Sequence, residues 1–481
     1  MTKKLLAAMG VLSALVVGTF LLGSLRWHSL RQASPPRLEE VAWGAGPLLA
    51  GAAVVPLEPA PPVPVAGFAR LHWMEEGRRD PVAVRALVVQ ESSCTVAFVS
   101  VEIMLVPGKL EQAVEKRLRD LNLDRLVLAA THTHAGPGGF WDDTFFERLA
   151  TGPYDRAVFD HLVERSVRAV REAHAALEPA YLSVARGEAK ALVRNRNGNE
   201  VDGRLVSARF DGRSGRTVGE LVIFPSHATL LGGSNRLISG DWPGALMRGR
   251  KAPLLLFQGA VGDQTPNAQV GPGGPPENYA RALEMRLAAL ERDRPDPWPE
   301  LAVATASSIL PPADAGASPP FLRRVAQNLM YGVLSERGRV MAVRLGSLTL
   351  LAIPGEPVAE VGRRWRAGAG EGSEVLSLAG DYLGYVETSD RMAEMAGETV
   401  HTYYGPELAD RLAGTVQIAA EAVRPPRRYP AASRRQPRPV RTVPRRGRMR
   451  TVKRSAEVAQ LTAGEPWCGR LASHAPRWIT I

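Results

Sequence analysis

Cysteine is nearly absent: Cys94 and Cys468 are the two in 481 residues. That count excludes a disulfide framework and leaves one bridge at most, so a packed core must hold the chain together. No C-x-x-C spacing exists, which removes a thiolate zinc site. Acidic residues are missing from 424–454, where thirteen Arg and Lys stand. The formal net charge of +11 belongs to that stretch, since 11 − 13 leaves −2 for the rest. No nucleic-acid partner is therefore expected of the body. The basic stretch reads as a solvated tail, with anionic lipid or nucleic acid as the sharper alternatives. Nor is there any repeat of 20 to 50 residues of the kind that builds solenoids or propellers.

Charge is also missing from Leu5 to Leu25, 21 residues that follow Lys3 and Lys4 and precede Arg26, His28 and Arg31. At ~1.5 Å per residue this run is long enough to span a bilayer. No small-x-small cleavage site follows, so an uncleaved membrane anchor is expected, with a cleaved signal peptide as the alternative. The leading lysines hold the N-terminus inside and put the rest of the chain outside the cytoplasmic membrane. The expected organisation is an anchor or signal segment over 1–33, a tether over 34–47, one large globular domain over 48–423, and an Arg/Pro-rich tail over 424–481.

What is present is organised around RLVLAATHTHAGPGG (125–139), an apolar strand running into two histidines and a Gly/Pro turn. Side chains on a strand alternate faces, so His132 and His134 would leave on the same side and reach one site. CTVAFVSVEIMLV (94–106) reads as a buried strand and KLEQAVEKRLRDL (109–121) as a helix, completing a βαβ unit. RAVFDHLVERSVRAVREAHAAL (156–177) has helical periodicity; His161 and His174 on it have no partner ligand at suitable spacing and read as boundary residues. Further apolar strands end in His227 (219–226), in Asp263, Gln264 and Thr265 (252–261), in Glu356 after a hairpin (339–345 and 348–353), and in Asp381, Tyr382 and Tyr385 (374–380). The expected fold is α/β, with mostly parallel or mixed sheets, flanking helices and an active site at the strand carboxyl ends. Two imidazoles with a carboxylate and a phenol suit zinc with room for a water.

Two other histidine signatures do not fit. The H-x-H-x-D-H pattern of metallo-β-lactamases fails because Ala135, Gly136 and Pro137 follow His134. A TIM-barrel amidohydrolase would need its H-x-H on an early strand of an eight-unit array, which is not the pattern here.

Seven segments in order, THTHAGPGG (131–139), RNRNGN (194–199), His227 through SNRLISGD (234–241), GAVGDQTPN (259–267), IPGE with GRR (353–356, 362–364), GDYLGYVET (380–388) and YYGP (403–406), resemble the N-terminal catalytic domain of the neutral/alkaline, non-lysosomal ceramidase family. The resemblance covers about residues 48–420. It implies one zinc per chain held by His132, His227, Glu356 and Tyr385, with the two H-T-H histidines able to exchange roles. His134 would orient the ligand shell or handle a proton. Arg196, with Arg194 as second choice, would contact substrate or developing negative charge, and Asp263 and Thr265 complete the catalytic set.

The activity implied is zinc-dependent hydrolysis of the amide of an N-acyl sphingosine-like lipid to fatty acid and amine. A zinc-bound water, its pKa lowered toward ~7, would attack the carbonyl; His134 would protonate the amine, and Tyr385 would stabilise the oxyanion. Another amphiphilic amide or ester is the alternative substrate. A non-catalytic, membrane-tethered lipid-binding protein is the alternative function; it predicts lost ligands, whereas all four are present. The chain departs from the family at three places. Thr265 stands where the family's GDxSPN motif has serine, and reads either as a reactive hydroxyl or as a helix cap ahead of Pro266. Segment 389–401 lacks the family's Glu, Gln and Tyr enrichment, and the basic tail stands where a C-terminal β-sandwich is expected. Phe140, Trp141 and Trp242 are candidates for an acyl groove or for ordinary packing.

Overall fold

The computed structural model describes residues 8–15, 17–18, 21, 35–44, 46–57, 62–68, 74–142, 150–267, 276–314 and 334–425. In chain order the main elements begin with β1 (Arg37–Trp43), β2 (Leu49–Pro56), β3 (Ala83–Glu91), β4 (Cys94–Val101), α1 (Gly108–Arg117), β5 (Arg125–Ala130) and α2 (Arg156–Ala175). Next come β6 (Glu178–Glu188), β7 (Arg204–Gly212), β8 (Thr217–Ile223), α3 (Asp241–Arg248), β9 (Leu254–Phe257) and β10 (Leu301–Ile309). The last are β11 (Arg337–Leu345), β12 (Leu348–Ala352), α4 (Ala359–Ala369), β13 (Ser373–Leu376) and α5 (Leu408–Ala422).

Alternation along β3 and β4 sets the layers. Val84, Ala86 and Val88 of β3, with Val99 and Val101 of β4, face α1 and α2 and pack on Leu110, Leu162, Val167 and Val170. The intervening Leu87, Val89, Val96 and Phe98 point the other way, onto Val343, Leu348 and Leu350 of a second sheet. Both faces of these strands are buried, which is why their sequences read as nearly continuous apolar runs. The far side of the second sheet is covered by α4 and α5 through Val361, Trp365, Leu412 and Val416. The result is four layers: helices, sheet, sheet, helices. Helix α2 starts where Asp155 caps it, its carboxylate accepting the Ala157 amide at 2.8 Å.

The larger sheet has eight strands in the order β9-β8-β7-β6-β2-β3-β4-β5, and the smaller has five, β1-β10-β11-β12-β13. The α/β class with mixed sheets and flanking helices is as expected, but most of the pairing is antiparallel. The main parallel pairs, β4/β5, β8/β9 and β12/β13, lie at sheet edges. Each is a βαβ unit, crossing over through α1, α3 and α4 respectively.

The strands with polar endings are thus divided between two sheets. They meet because the large sheet coils. The β2/β6 ladder is two residues long, and there the sheet turns. Six interstrand steps of roughly 20–25° rotate β8 by about 120–150° relative to β5. Strands that are antiparallel by count are thereby brought side by side, and a parallel bridge joins Thr133 to Ala228 just beyond their ends. Ser100 Oγ donates to Leu256 O at 2.8 Å, fastening β4 to the opposite edge.

Residues 34–47 do not form a tether throughout. Arg37–Trp43 pairs antiparallel with β10 as the edge of the second sheet, and Glu40 forms an ion pair with Arg125. Mixed polarity there reflects an edge strand whose first five residues are exposed, which composition alone does not distinguish from a linker. Among the described residues no helix is long and apolar enough to cross a membrane. Most of the expected anchor, and 426–481 with Cys468, fall outside them. Cys94 is buried, and burial pushes its thiol up to about 12, so it behaves as a small core residue.

Gly51 marks the closest approach of β2 to α2. A Cβ there would lie 2.2 Å from Ala173 O and 2.7 Å from the Ala176 carbonyl carbon, both backbone atoms that cannot rotate away. Gly51→Ala is therefore expected to lower stability by about 2 kcal/mol, read as a lower urea midpoint at unchanged slope. A neutral result would mean that the sheet and helix are not packed this tightly.

Candidate metal centre

β5 ends at Ala130, and beyond it the chain leaves strand geometry: His132 has φ +67°. Strand alternation is therefore not what brings the two histidines together. The turn does so. The His132 amide donates to Ile103 O at 3.1 Å and the His134 amide to Ala228 O at 3.1 Å, so each is held by a different neighbouring segment. Their Nε2 atoms lie 3.4 Å apart.

His227 arrives after β8. Its Nδ1 lies 2.7 Å from Gln264 O, and Nδ1 of His132 lies 2.7 Å from Met104 O. A backbone carbonyl can only accept, so each Nδ1 carries the proton and each Nε2 presents its lone pair inward. Both Nε2 atoms converge on one oxygen, Glu356 Oε2, at 3.1 Å from His132 and 3.2 Å from His227. That oxygen is buried and makes no hydrogen bond of good geometry. The other carboxylate oxygen accepts the Tyr382 hydroxyl at 2.7 Å. Tyr385 Oη sits 3.1 Å from His227 Nε2, held by a parallel register in which Tyr385 pairs with Glu356.

His132, His227 and Glu356 are buried and His134 is half-buried, and the three histidines form a group that could hold a metal ion. Burial lowers the pKa of His227, and it takes that of His134 well below the ordinary value, reinforced by the neighbouring His132 and His227. For Glu356 burial alone would raise the pKa, but the flanking His132 and His227 hold it well below the usual carboxylate range. Burial, then the Glu356 charge, raises the Tyr385 phenol well above 10, while Arg196 opposes them.

The remaining expected residues divide. The Arg196 guanidinium lies 5.3 Å from the Tyr385 ring centroid, within the site. Arg194 is exposed on a short ladder opposite Thr265. Thr265 lies in that ladder (Gln264–Pro266) and not at a helix start; the next helix among the described residues begins at Pro276, so the capping reading is corrected. Asp263 accepts Asn195 Nδ2 at 2.6 Å, Gln264 Nε2 at 2.8 Å and the Ala359 amide at 2.9 Å. Its carboxylate ties the β9 loop to the start of α4, and this is where the structure places a residue expected to be catalytic. Phe140 and Trp242 are fully buried core residues, the latter donating Nε1 to His227 O at 3.0 Å; they do not line a groove. Trp141 packs edge-on to Tyr382 at 5.7 Å.

Sequence reasoning missed Phe68, whose ring meets His134 edge-on at 5.1 Å, and Glu398, which grips Arg196 at 2.7 Å. Neither lies at a strand end, so no periodicity marks them. Tyr382 stood in the expected strand ending, but nothing in that ending set it apart as the partner of Glu356.

The family described as neutral/alkaline non-lysosomal ceramidase, N-terminal, matches residues 58–248, a span that carries His132, His134, Arg196 and His227. Over that span, about two fifths of its length, the chain is similar to this family. A curated neutral ceramidase of Mycobacterium tuberculosis is 26% identical over 78% of this chain and 76% of its own length. The neutral ceramidase of Pseudomonas aeruginosa is 26% identical over 44% of this chain, which there spans 35% of that relative. The crystal structure of the Pseudomonas aeruginosa enzyme superposes on 78% of this chain and 74% of that one, with a TM-score of 0.68 and 21% identity, and shows the same fold. The four layers described above are thus an architecture shared with that structure.

A pH dependence follows from the buried imidazoles. A histidine whose native pKa is lowered binds its proton more readily when unfolded, so stability is complete above the unfolded value of about 6.5 and falls as pH drops below it. Glu356, depressed likewise, adds loss of the same sign at lower pH. The urea midpoint of metal-free protein is expected to fall between about pH 7.5 and about pH 5.5, and His134→Gln to flatten part of that slope. A midpoint that rises on acidification would mean that the histidines are charged in the native state.

Proposed function

We propose that this chain is a zinc-dependent amidohydrolase that cleaves the amide of N-acyl sphingosine-like lipids to a fatty acid and an amine. One observation carries the reading: two imidazoles, each with Nδ1 committed to a backbone carbonyl, aim their Nε2 lone pairs at a buried carboxylate oxygen that lacks a hydrogen bond of good geometry. Three acceptor atoms turned toward one point cannot hydrogen-bond to one another; the Tyr385 hydroxyl and His134 Nε2 flank the two imidazoles, Glu356 Oε2 is left unmatched, and a cation resolves the mismatch.

His132, His227, Glu356 and Tyr385 would hold the ion, one per chain. When bound, zinc supplies a Lewis acid that polarises an amide carbonyl and lowers the pKa of water. His134, next to His132 and kept neutral by burial, would accept a proton at Nε2 and deliver it to the departing amine. Arg196 and the Tyr385 hydroxyl lie together on the side of His227 and would face negative charge developing on the carbonyl oxygen. Phe68, 40% exposed and in contact with His134, offers an apolar wall beside the reacting centre, as an acyl or alkyl chain requires. The relatives named neutral ceramidases support the substrate class. The charge-free run from Leu5 to Leu25 would place the site outside the cytoplasmic membrane, where lipid substrate is accessible.

Elemental analysis of dialysed protein is expected to find about one zinc per chain, and His227→Ala and Glu356→Ala are each expected to lose it while remaining folded. Amide hydrolysis should fall to background in both. Full metal retention by both variants would defeat the ligand set, whereas a metal-loaded protein inert toward every N-acyl amide tested would defeat the substrate reading alone.

A further inference from the structure

Glu398 lies twelve residues beyond Val386, in the segment 389–401 that lacks the Glu, Gln and Tyr enrichment noted above. It is 2% exposed. Its carboxylate nevertheless collects four contacts: Arg196 Nε on Oε1 and Arg196 Nη2 on Oε2, both at 2.7 Å, Asn197 Nδ2 on Oε1 at 2.8 Å, and His401 Nδ1 3.0 Å from Oε2. Its own amide donates to Glu387 Oε2 at 2.9 Å, which anchors the backbone from which the side chain reaches. These partners hold the carboxyl down at about 2 although burial alone would raise it.

The other end of this arrangement is Tyr385. Arg196 Nη2 also donates to Gly262 O at 2.7 Å, and its guanidinium stands over the Tyr385 ring. The fork is therefore committed on two sides, to Glu398 and to the β9 loop. A guanidinium so engaged is a fixed piece of the wall beside Tyr385. His401, held by the same carboxylate, packs its ring 5.2 Å from that of Tyr385.

We propose that Glu398 is a positioning residue of the metal centre: its two-point pair with Arg196 locks the guanidinium over Tyr385 and so sets the phenol beside His227. The functional consequence rests on the metal reading given above; the geometry does not. Outer partners that orient ligands change metal affinity by about 10- to 100-fold when removed, so Glu398 acts on the ion through two intermediaries without touching it.

The test compares wild type with Glu398→Gln in the full chain. Zinc affinity, measured by competition with a chelator in the absence of denaturant, is expected to weaken about tenfold, with stoichiometry retained at saturation. kcat is expected to fall more than KM rises. Should Glu398→Gln fail to fold, Arg196→Lys gives the same comparison, since it keeps the charge and removes the planar fork. A second measurement needs no metal. In the metal-free protein, Glu398→Gln and Tyr385→Phe are expected to be non-additive by at least about twofold in the unfolding equilibrium constant, as members of one network. Unchanged zinc affinity together with strict additivity overturns the proposal. If wild type binds no zinc, the metal reading fails, and the cycle in metal-free protein alone decides whether Glu398 positions Tyr385.

Discussion

Two backbone carbonyls, Met104 O and Gln264 O, govern the chemistry of this molecule. Each accepts the Nδ1 proton of a buried histidine and so turns the Nε2 lone pair of His132 or His227 toward Glu356. A different tautomer would present protons inward, and the pocket would close as an ordinary hydrogen-bonded core. Everything that fixes those carbonyls is therefore part of the centre. Met104 belongs to the chain leaving β4. Gln264 leaves β9 and is held by the ladder to Val193–Asn195 and by Asp263, which also grips the start of α4.

The fold supplies this precision by bringing three sheet edges together. Each edge is a βαβ unit, and among the described residues the three deliver His132 and His134, His227, and Glu356 with Tyr385. The carboxyl end of a parallel pair is where the chain departs into crossovers, so side chains there are free of the ladder and can be aimed. The edges are fastened to one another by main chain: Thr133 to Ala228, Ala129 to Ala379, and the Gly262 amide to Pro357 O at 2.9 Å. Between them Gln258 acts as a bracket, its Nε2 donating to Thr131 O at 2.9 Å and its Oε1 accepting the Ser226 amide at 3.0 Å. Such links resist the displacement that buried like-charged or lone-pair-bearing groups would otherwise cause.

Much of this was legible in the chain. The strand, helix and strand over 94–130 and the helix over 156–175 follow from apolar periodicity, because each buries one face or both against a continuous core. The gathering of His132, His134, His227, Glu356 and Tyr385 follows from polar residues stationed at apolar strand ends. For the H-T-H pair strand alternation predicts the right outcome from the wrong cause, since His132 lies in the left-handed region past the end of β5. Residues 37–43 were not legible as a strand because this edge strand lies largely in solvent, so no apolar alternation marks it. Thr265 matched a helix cap by local chemistry, yet tertiary pairing with Arg194 drew it into a ladder.

The sequence by itself determined which atoms are available: buried strands of β-branched residues, few cysteines, and imidazole, carboxylate and phenol at their ends. Short-range rules suffice for that, because periodicity and strand termination are encoded within about ten residues. Only the tertiary structure decided which of these atoms face one another. That outcome depends on sheet coiling accumulated over six interstrand steps, on the division of the strands between two sheets, and on carbonyls distant in sequence that select a tautomer. It also depends on Glu398, whose reach to Arg196 spans about two hundred residues and leaves no trace in any local pattern.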